Sequence, residues 1–220
     1  MLATAIAPQV IADTAFPGHP PNRELLEIQS RVDALFKAGK YDRAMVIYRK
    51  ELAPLGDKYA QYMIGYMHLA GKGVDQDLPM AAAWYRLAAE RGQQTFVTEN
   101  RKLVSLLEPE QLENAERIFR ELRRQYGDAA LIMRLVADDL ATLDDVVGGT
   151  EAFPVAGLDR RTRSIDEAYV EQLERRIRDR LEYLDAVLAR DEYADAADRE
   201  RLDILERRAA RVIRDARRIR

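Results

Sequence analysis

From Arg23 onward, apolar residues return at three- and four-residue spacing almost without interruption, a period that predicts helices. Leu25, Leu26, Ile28, Val32, Leu35 and Phe36 mark the apolar face of a first helix, which Gly39 stops. Tyr41, Ala44, Met45, Ile47, Tyr48 and Leu52 mark a second, ended by Pro54 and Gly56. Tyr59–Leu69 gives a third helix, the sequence GKGVDQD a loop, and Pro79–Arg91 a fourth, closed by Gly92. Further helices are predicted over Phe96–Leu107 and over Glu108–Tyr126, the latter with Leu112, Ala115, Ile118, Phe119 and Leu122 facing inward. Asp128 is placed to cap a helix running to about Val147 on Leu131, Ile132, Leu135, Val136, Leu140 and Leu143.

The C-terminal segment changes pattern. Tyr169, Leu173, Ile177, Leu181, Leu184 and Leu188 form a narrow stripe. Leu202, Leu205, Ala209, Val212, Ala216 and Ile219 alternate by four and three, a heptad seam. A polar stretch near Arg190–Arg201 turns the chain, so an antiparallel, coiled-coil-like hairpin is expected, paired either within one chain or between two. No segment alternates with period two, so the expected fold class is all-α. Four parts are expected: a tail at 1–22, a helical domain at 23–148, a linker at 149–164 and the hairpin at 165–220.

Composition narrows the chemistry. The 220 residues include no Cys and only His19 and His68, which excludes disulfides, thiol nucleophiles and Cys/His metal cages. Ser30, Ser105 and Ser164 are the only serines. No phosphate-binding Gly loop, HExxH or nucleophile elbow is present. The adjacent acids Asp138-Asp139 and Asp144-Asp145 point about 100° apart on a helix and form no facing acid–base pair, whereas Asp138 and Asp145 can share a face. No enzyme, catalytic residue, metal or cofactor is expected.

The formal net charge of −3 argues against a broadly basic nucleic-acid binder, but it hides an asymmetry. Residues 128–159 hold seven acids and Arg134, whereas 199–220 hold nine Arg and four acids. The Arg-rich end is the one feature pointing to an anionic surface, and interleaved acids and the absence of aromatics after Tyr193 weaken it. No run reaches the roughly 20 apolar residues of a membrane span. Met1–Ala7 reads either as the remnant of a secretory leader, favouring a periplasmic location, or as a loose tail of a cytoplasmic protein.

One motif carries more. Tyr59–Gly92 reads YAQYMIGYMHLAGKGVDQDLPMAAAWYRLAAERG and closely resembles a Sel1-like repeat, a tetratricopeptide-like hairpin. The pattern is met at Ala60, Tyr62, Gly65, Met67, Gly71, Gly73, Val74, Asp77, Ala81, Trp84, Tyr85, Ala88, Ala89 and Gly92, with Ile64, His68 and Leu69 departing from it. Physically, Gly65 opposite Ala81, Ala88 and Ala89 lets two helices approach closely, and Gly71 and Gly73 allow positive φ in the turn. Asp77 or a neighbour can accept from the N–H groups at the next helix start, and Trp84 and Tyr85 are large enough to bury against neighbouring elements. Lys37–Leu52 resembles part of an ordinary tetratricopeptide repeat through Gly39, Tyr41, Ala44 and Tyr48. One repeat and a degenerate neighbour fall short of the three or so an open solenoid needs, so the helices at 96–147 are expected to cap it. The resemblance implies a non-enzymatic adaptor or scaffold in a bacterial envelope or regulatory assembly, binding a protein partner. Tyr62, Tyr66 and His68 are the candidate partner-binding residues, and self-association through 165–220 is the alternative.

Overall fold

The computed structural model describes residues 16–18, 22–148 and 167–218. The fold is all-α, with no strand among the described residues. The expected leader at 1–7, His19 and the expected linker at 149–164 lie outside them, as does Ile219 of the seam. The helices are α1 (Arg23–Lys37), α2 (Tyr41–Ile47), α3 (Lys58–Ala70), α4 (Leu78–Ala88), α5 (Gln94–Val104), α6 (Pro109–Tyr126), α7 (Asp128–Gly148), α8 (Glu167–Arg190) and α9 (Ala196–Arg218). The chain packs as two compact units, 1–131 and 132–220, so the division falls inside α7.

Local chemistry sets the helix ends of the first unit. Asn22 caps α1 by accepting from Leu25 N–H at 2.8 Å. After α2 the chain widens into a π-helical turn at Tyr48–Leu52 and tightens into a 3-10 turn at Ala53–Leu55, where Pro54 has no N–H to donate. Asp57 caps α3, and Asp77 caps α4 by accepting from Met80 N–H at 2.9 Å. Glu108 and Gln111 make a capping box ahead of Pro109 at the start of α6. Gly127 alone separates α6 from α7, and Asp128 is the first residue of α7 rather than its cap.

α4 is the centre of this unit, with α3, α5 and α6 packed around it. Its sequence LPMAAAWYRLA is apolar nearly all round, as a helix without a solvent face must be. Ala81, Ala82, Ala83, Trp84, Tyr85, Leu87 and Ala88 are all buried. Two expected inward positions are not filled that way. Leu26 is 50% exposed on α1, whose one fully buried residue is Val32, and Leu112 is 37% exposed where it lines a cavity beside α4.

The second unit joins the later turns of α7 to α8 and α9. Ile132, Leu135, Val136, Leu140 and Leu143 are buried, as are Val170, Leu173, Ile177, Leu184 and Leu188 of α8 and Leu202, Ala209, Val212 and Ala216 of α9. α8 and α9 pack on each other within one chain. Tyr169 was expected on the α8 stripe, but it is exposed and Val170 takes the buried place one residue later. Asp139, buried, receives Arg176 through two nitrogens and Arg180 at 2.5 Å, and Arg180 also donates to Leu135 O. Among the described residues, the acidic stretch and the Arg-rich end meet at Asp144 and Arg208, 3.0 Å apart.

Candidate functional site

The hairpin of α3 and α4 is built around one missing side chain. A Cβ on Gly65 would stand 2.5 Å from the Tyr85 ring and 3.1 Å from Ala81 O, so the close neighbours of Gly65 are Tyr85 and the Ala81 backbone. Tyr85 in turn stacks on Tyr62, with centroids 4.9 Å apart and planes 11° from parallel, and Phe96 of α5 stacks on the other face of Tyr62 at 5.2 Å. Burial pushes the Tyr62 hydroxyl above its ordinary range and Tyr85 well above it. Trp84 meets Tyr126 of α6 at 5.1 Å. Ala60 and Ala88 are fully buried, while Ala89 is half-buried in the short 3-10 turn Ala89–Arg91 that Gly92 ends.

The turn between the helices needs both its glycines. Gly71 and Gly73 hold φ of +63° and +71°, and a Cβ on Gly73 would lie 2.6 Å from the backbone of Tyr41 and Asp42. The same turn projects Lys72 toward three rings. Its Nζ stands 4.7 Å from the Tyr41 centroid and 5.6 Å from those of Phe36 and Tyr66, and it donates to Tyr41 Oη at 3.3 Å. The hydrogen bond with Tyr41 raises the lysine pKa.

Residues 58–93 match the family model of the Sel1 repeat. This segment is a Sel1 repeat. No curated protein and no solved structure matches the chain. The Sel1 repeat therefore covers α3, its glycine turn, α4 and Gly92, and the remaining helices are described by their own contacts.

Of the candidate partner-binding residues, Tyr62 lies half-buried between two rings and Tyr66 half-buried beside Phe36. His68 is half-buried, its Nδ1 without a hydrogen-bond partner and its backbone carbonyl accepting from Asp77 N–H at 3.0 Å. Desolvation lowers the His68 pKa, and the Asp77 carboxylate opposes that shift.

Two features of the repeat were not anticipated. The first is a buried polar joint. Lys58 Nζ, 3% exposed, touches Glu90 at 2.7 Å, Asp128 at 3.1 Å, Leu87 O at 3.1 Å and Gln61 Oε1 at 3.1 Å. Gln61 is fully buried and donates to Tyr126 O, and Arg91 grips Asp128 through two 2.9 Å bonds beneath the Phe16 ring. The sequence signal was there: Gln61 is a polar residue on the apolar face that holds Ala60 and Ile64.

The second is a groove on the outer side of α4, a cavity of about 230 Å³. Ala82 and Ala83 form its floor, Asn100 and Val104 of α5 one wall, and Leu112, Ala115 and Glu116 of α6 the other. Arg86 crosses one end, paired with Glu116 at 2.5 Å and lying over the Phe119 ring. Val104 and Leu112 are more than a third exposed, and Leu106, between them in sequence, is 76% exposed. Among the described residues, no cluster of His, Asp and Glu is arranged to hold a metal ion, and no helix is long and apolar enough to cross a membrane.

Proposed function

We propose that this protein is a non-enzymatic adaptor that binds a segment of another protein through its Sel1 repeat and the helices packed on it. The observation that carries this reading is the repeat itself, since Sel1 repeats point to protein–protein interaction modules. Its construction agrees. Gly65, Tyr62, Trp84 and Tyr85 are engaged in packing one helix on the next, and the titratable residues near them, Lys58, Glu90 and Asp128, are engaged with one another. What the unit offers outward is surface: His68 and the edge of Tyr66 near the turn, and the apolar groove behind α4.

The test is affinity capture from native lysate with the full chain as bait, followed by the same capture with variants of that surface. A protein retained by the native chain and lost from at least one surface variant, Tyr66→Ala/His68→Ala or Leu106→Glu, supports the reading. Capture of nothing above a scrambled-surface control overturns it. Self-association through 165–220 receives less support, because the seam that would pair two chains is buried inside one.

A further inference from the structure

The arginines of the C-terminal unit are sorted by direction along α9. From Arg207 to Arg218 the chain reads RRAARVIRDARR, six arginines and one acid. Successive side chains on a helix turn by about 100°, and Leu202, Ala209, Val212 and Ala216 are buried and fix the inner face. Arg208 and Arg217, nine positions apart, stand about 180° from each other on the two flanks. Each is turned to a neighbour: Arg208 meets Asp144 of α7 at 3.0 Å, and Arg217 meets Glu174 of α8 at 3.3 Å. Arg207, Arg211, Arg214 and Arg218 recur at spacings of four, three and four, which puts them within about 60° of one another, opposite the buried face. All four are exposed.

These four make a ladder about 16 Å long with rungs about 4.5–6 Å apart. Its end rungs are steadied by their own helix, Arg207 by Asp203 and Arg218 by Asp215 at 3.8 Å. The middle rungs, Arg211 and Arg214, are in no ion pair among the described residues. Every cation beyond Lys102 in the chain is an arginine, whose planar fork grips a carboxylate or a phosphate through two hydrogen bonds. Ile204, three positions before Arg207 and on the same line, is 54% exposed, and Glu200 continues the line beyond it.

That surround favours a protein over a nucleic acid. The formal net charge of −3 supplies no long-range pull on a polyanion, and no aromatic residue follows Tyr193 to stack on a base. A phosphate backbone has no use for an apolar and then an acidic residue at the end of the ladder. A helix with Asp or Glu at three- and four-residue spacing has the same rise as the ladder and can set an apolar side chain against Ile204.

We propose that the outer face of α9 docks an acidic helical segment of a partner protein, its carboxylates on Arg207, Arg211, Arg214 and Arg218 and an apolar side chain on Ile204. This goes beyond the adaptor reading, which places the bound segment on the Sel1 repeat and the helices packed on it.

The experiment titrates fluorescein-labelled helical peptides with the full chain by fluorescence polarisation. One peptide carries Glu at spacings of four, three and four on one face with a Leu at the end of that row, and a second has the same composition with its Glu spread round the helix. The first is expected to bind about tenfold more tightly or better, and to weaken as salt is raised. Arg211→Gln/Arg214→Gln, at two exposed positions, should cost about tenfold or more, and Arg211→Lys/Arg214→Lys should recover only part of it, since lysine keeps the charge without the fork. Equal binding of the two peptides, native-like binding by the Gln variant, or tighter binding of a short DNA duplex than of the first peptide would overturn the assignment.

Discussion

The ring of Tyr85 occupies the space that a side chain at position 65 would need, since a Cβ there would stand 2.5 Å from it. Tyr85 is 2% exposed and stacked on Tyr62, which Phe96 holds from behind, so it has nowhere to retreat. Gly65→Ala is therefore expected to destabilise the protein by about 1–3 kcal/mol through overpacking, reversing the roughly 1 kcal/mol that alanine gains over glycine within a helix. Urea unfolding of the two proteins measures it, and a more stable variant would show that the hairpin has slack.

Lys58 is the hub of the buried joint, and replacing it removes its charge and its donors together. Lys58→Met removes the ion pairs of Glu90 and Asp128 with Lys58, while Arg91 still holds Asp128. The expected loss is about 3 kcal/mol, at the lower end for breaking a buried pair because Arg91 remains. Hydrogen exchange should quicken first at the α7 amides nearest Asp128, whose own backbone N–H donates to Glu90 Oε2.

Lys72 provides a milder test. Its ammonium is exposed but faces Phe36, Tyr41 and Tyr66, one ring from each of α1, α2 and α3. Lys72→Gln should lower stability by about 0.5–1 kcal/mol, the usual range for an exposed cation on an aromatic face. Lys72→Arg should restore most of it. Equal losses in both variants would point to the loop backbone rather than to the rings.

His68 is expected to make the repeat sensitive to mild acid. Desolvation puts its folded pKa below that of an ordinary imidazole, so the folded state takes up its proton less readily than the unfolded chain. The stability it contributes is complete above the unfolded value and is lost as pH falls through the folded one. Urea midpoints measured between about pH 7.5 and pH 5.5 should fall for the native chain, and the slope should flatten in His68→Gln. An identical slope in the two would assign the effect to other groups.

The α8–α9 seam predicts an oligomeric state. With Leu173, Ile177, Leu184, Leu188, Leu202, Val212 and Ala216 buried within one chain, little of the stripe remains for a second copy. Light scattering of the full chain is expected to give a monomer, and a concentration-dependent dimer would mean that the seam opens to pair between chains.

Helical period alone located nearly every helix, because burial of one face imposes the spacing whatever the partner. It was less able to say which apolar residue would be covered. Leu112 and Val104 sit at proper helical intervals yet border an open groove, since coverage depends on how far α5 and α6 stand apart, and no local spacing encodes that. Tyr169 and Val170 show the same limit at the scale of one residue. The Sel1 repeat was legible because its glycines and aromatics recur at fixed offsets. The Lys58–Glu90–Asp128–Arg91 joint was not, because its members lie up to 70 positions apart and each resembles an ordinary surface charge.

The course of α7 carries a lesson for anyone cutting this chain. Its first turn is fixed by Lys58 and Arg91, while its later turns bury Ile132, Leu135, Val136, Leu140 and Leu143 in the unit completed by α8 and α9. A fragment stopping at 148 would carry five aliphatic side chains stripped of that company, and one stopping at 131 would sever a continuous helix. The C-terminal helices are thus not a detachable cassette. A lineage could not trade them for another module at a loop junction without also rewriting one face of α7.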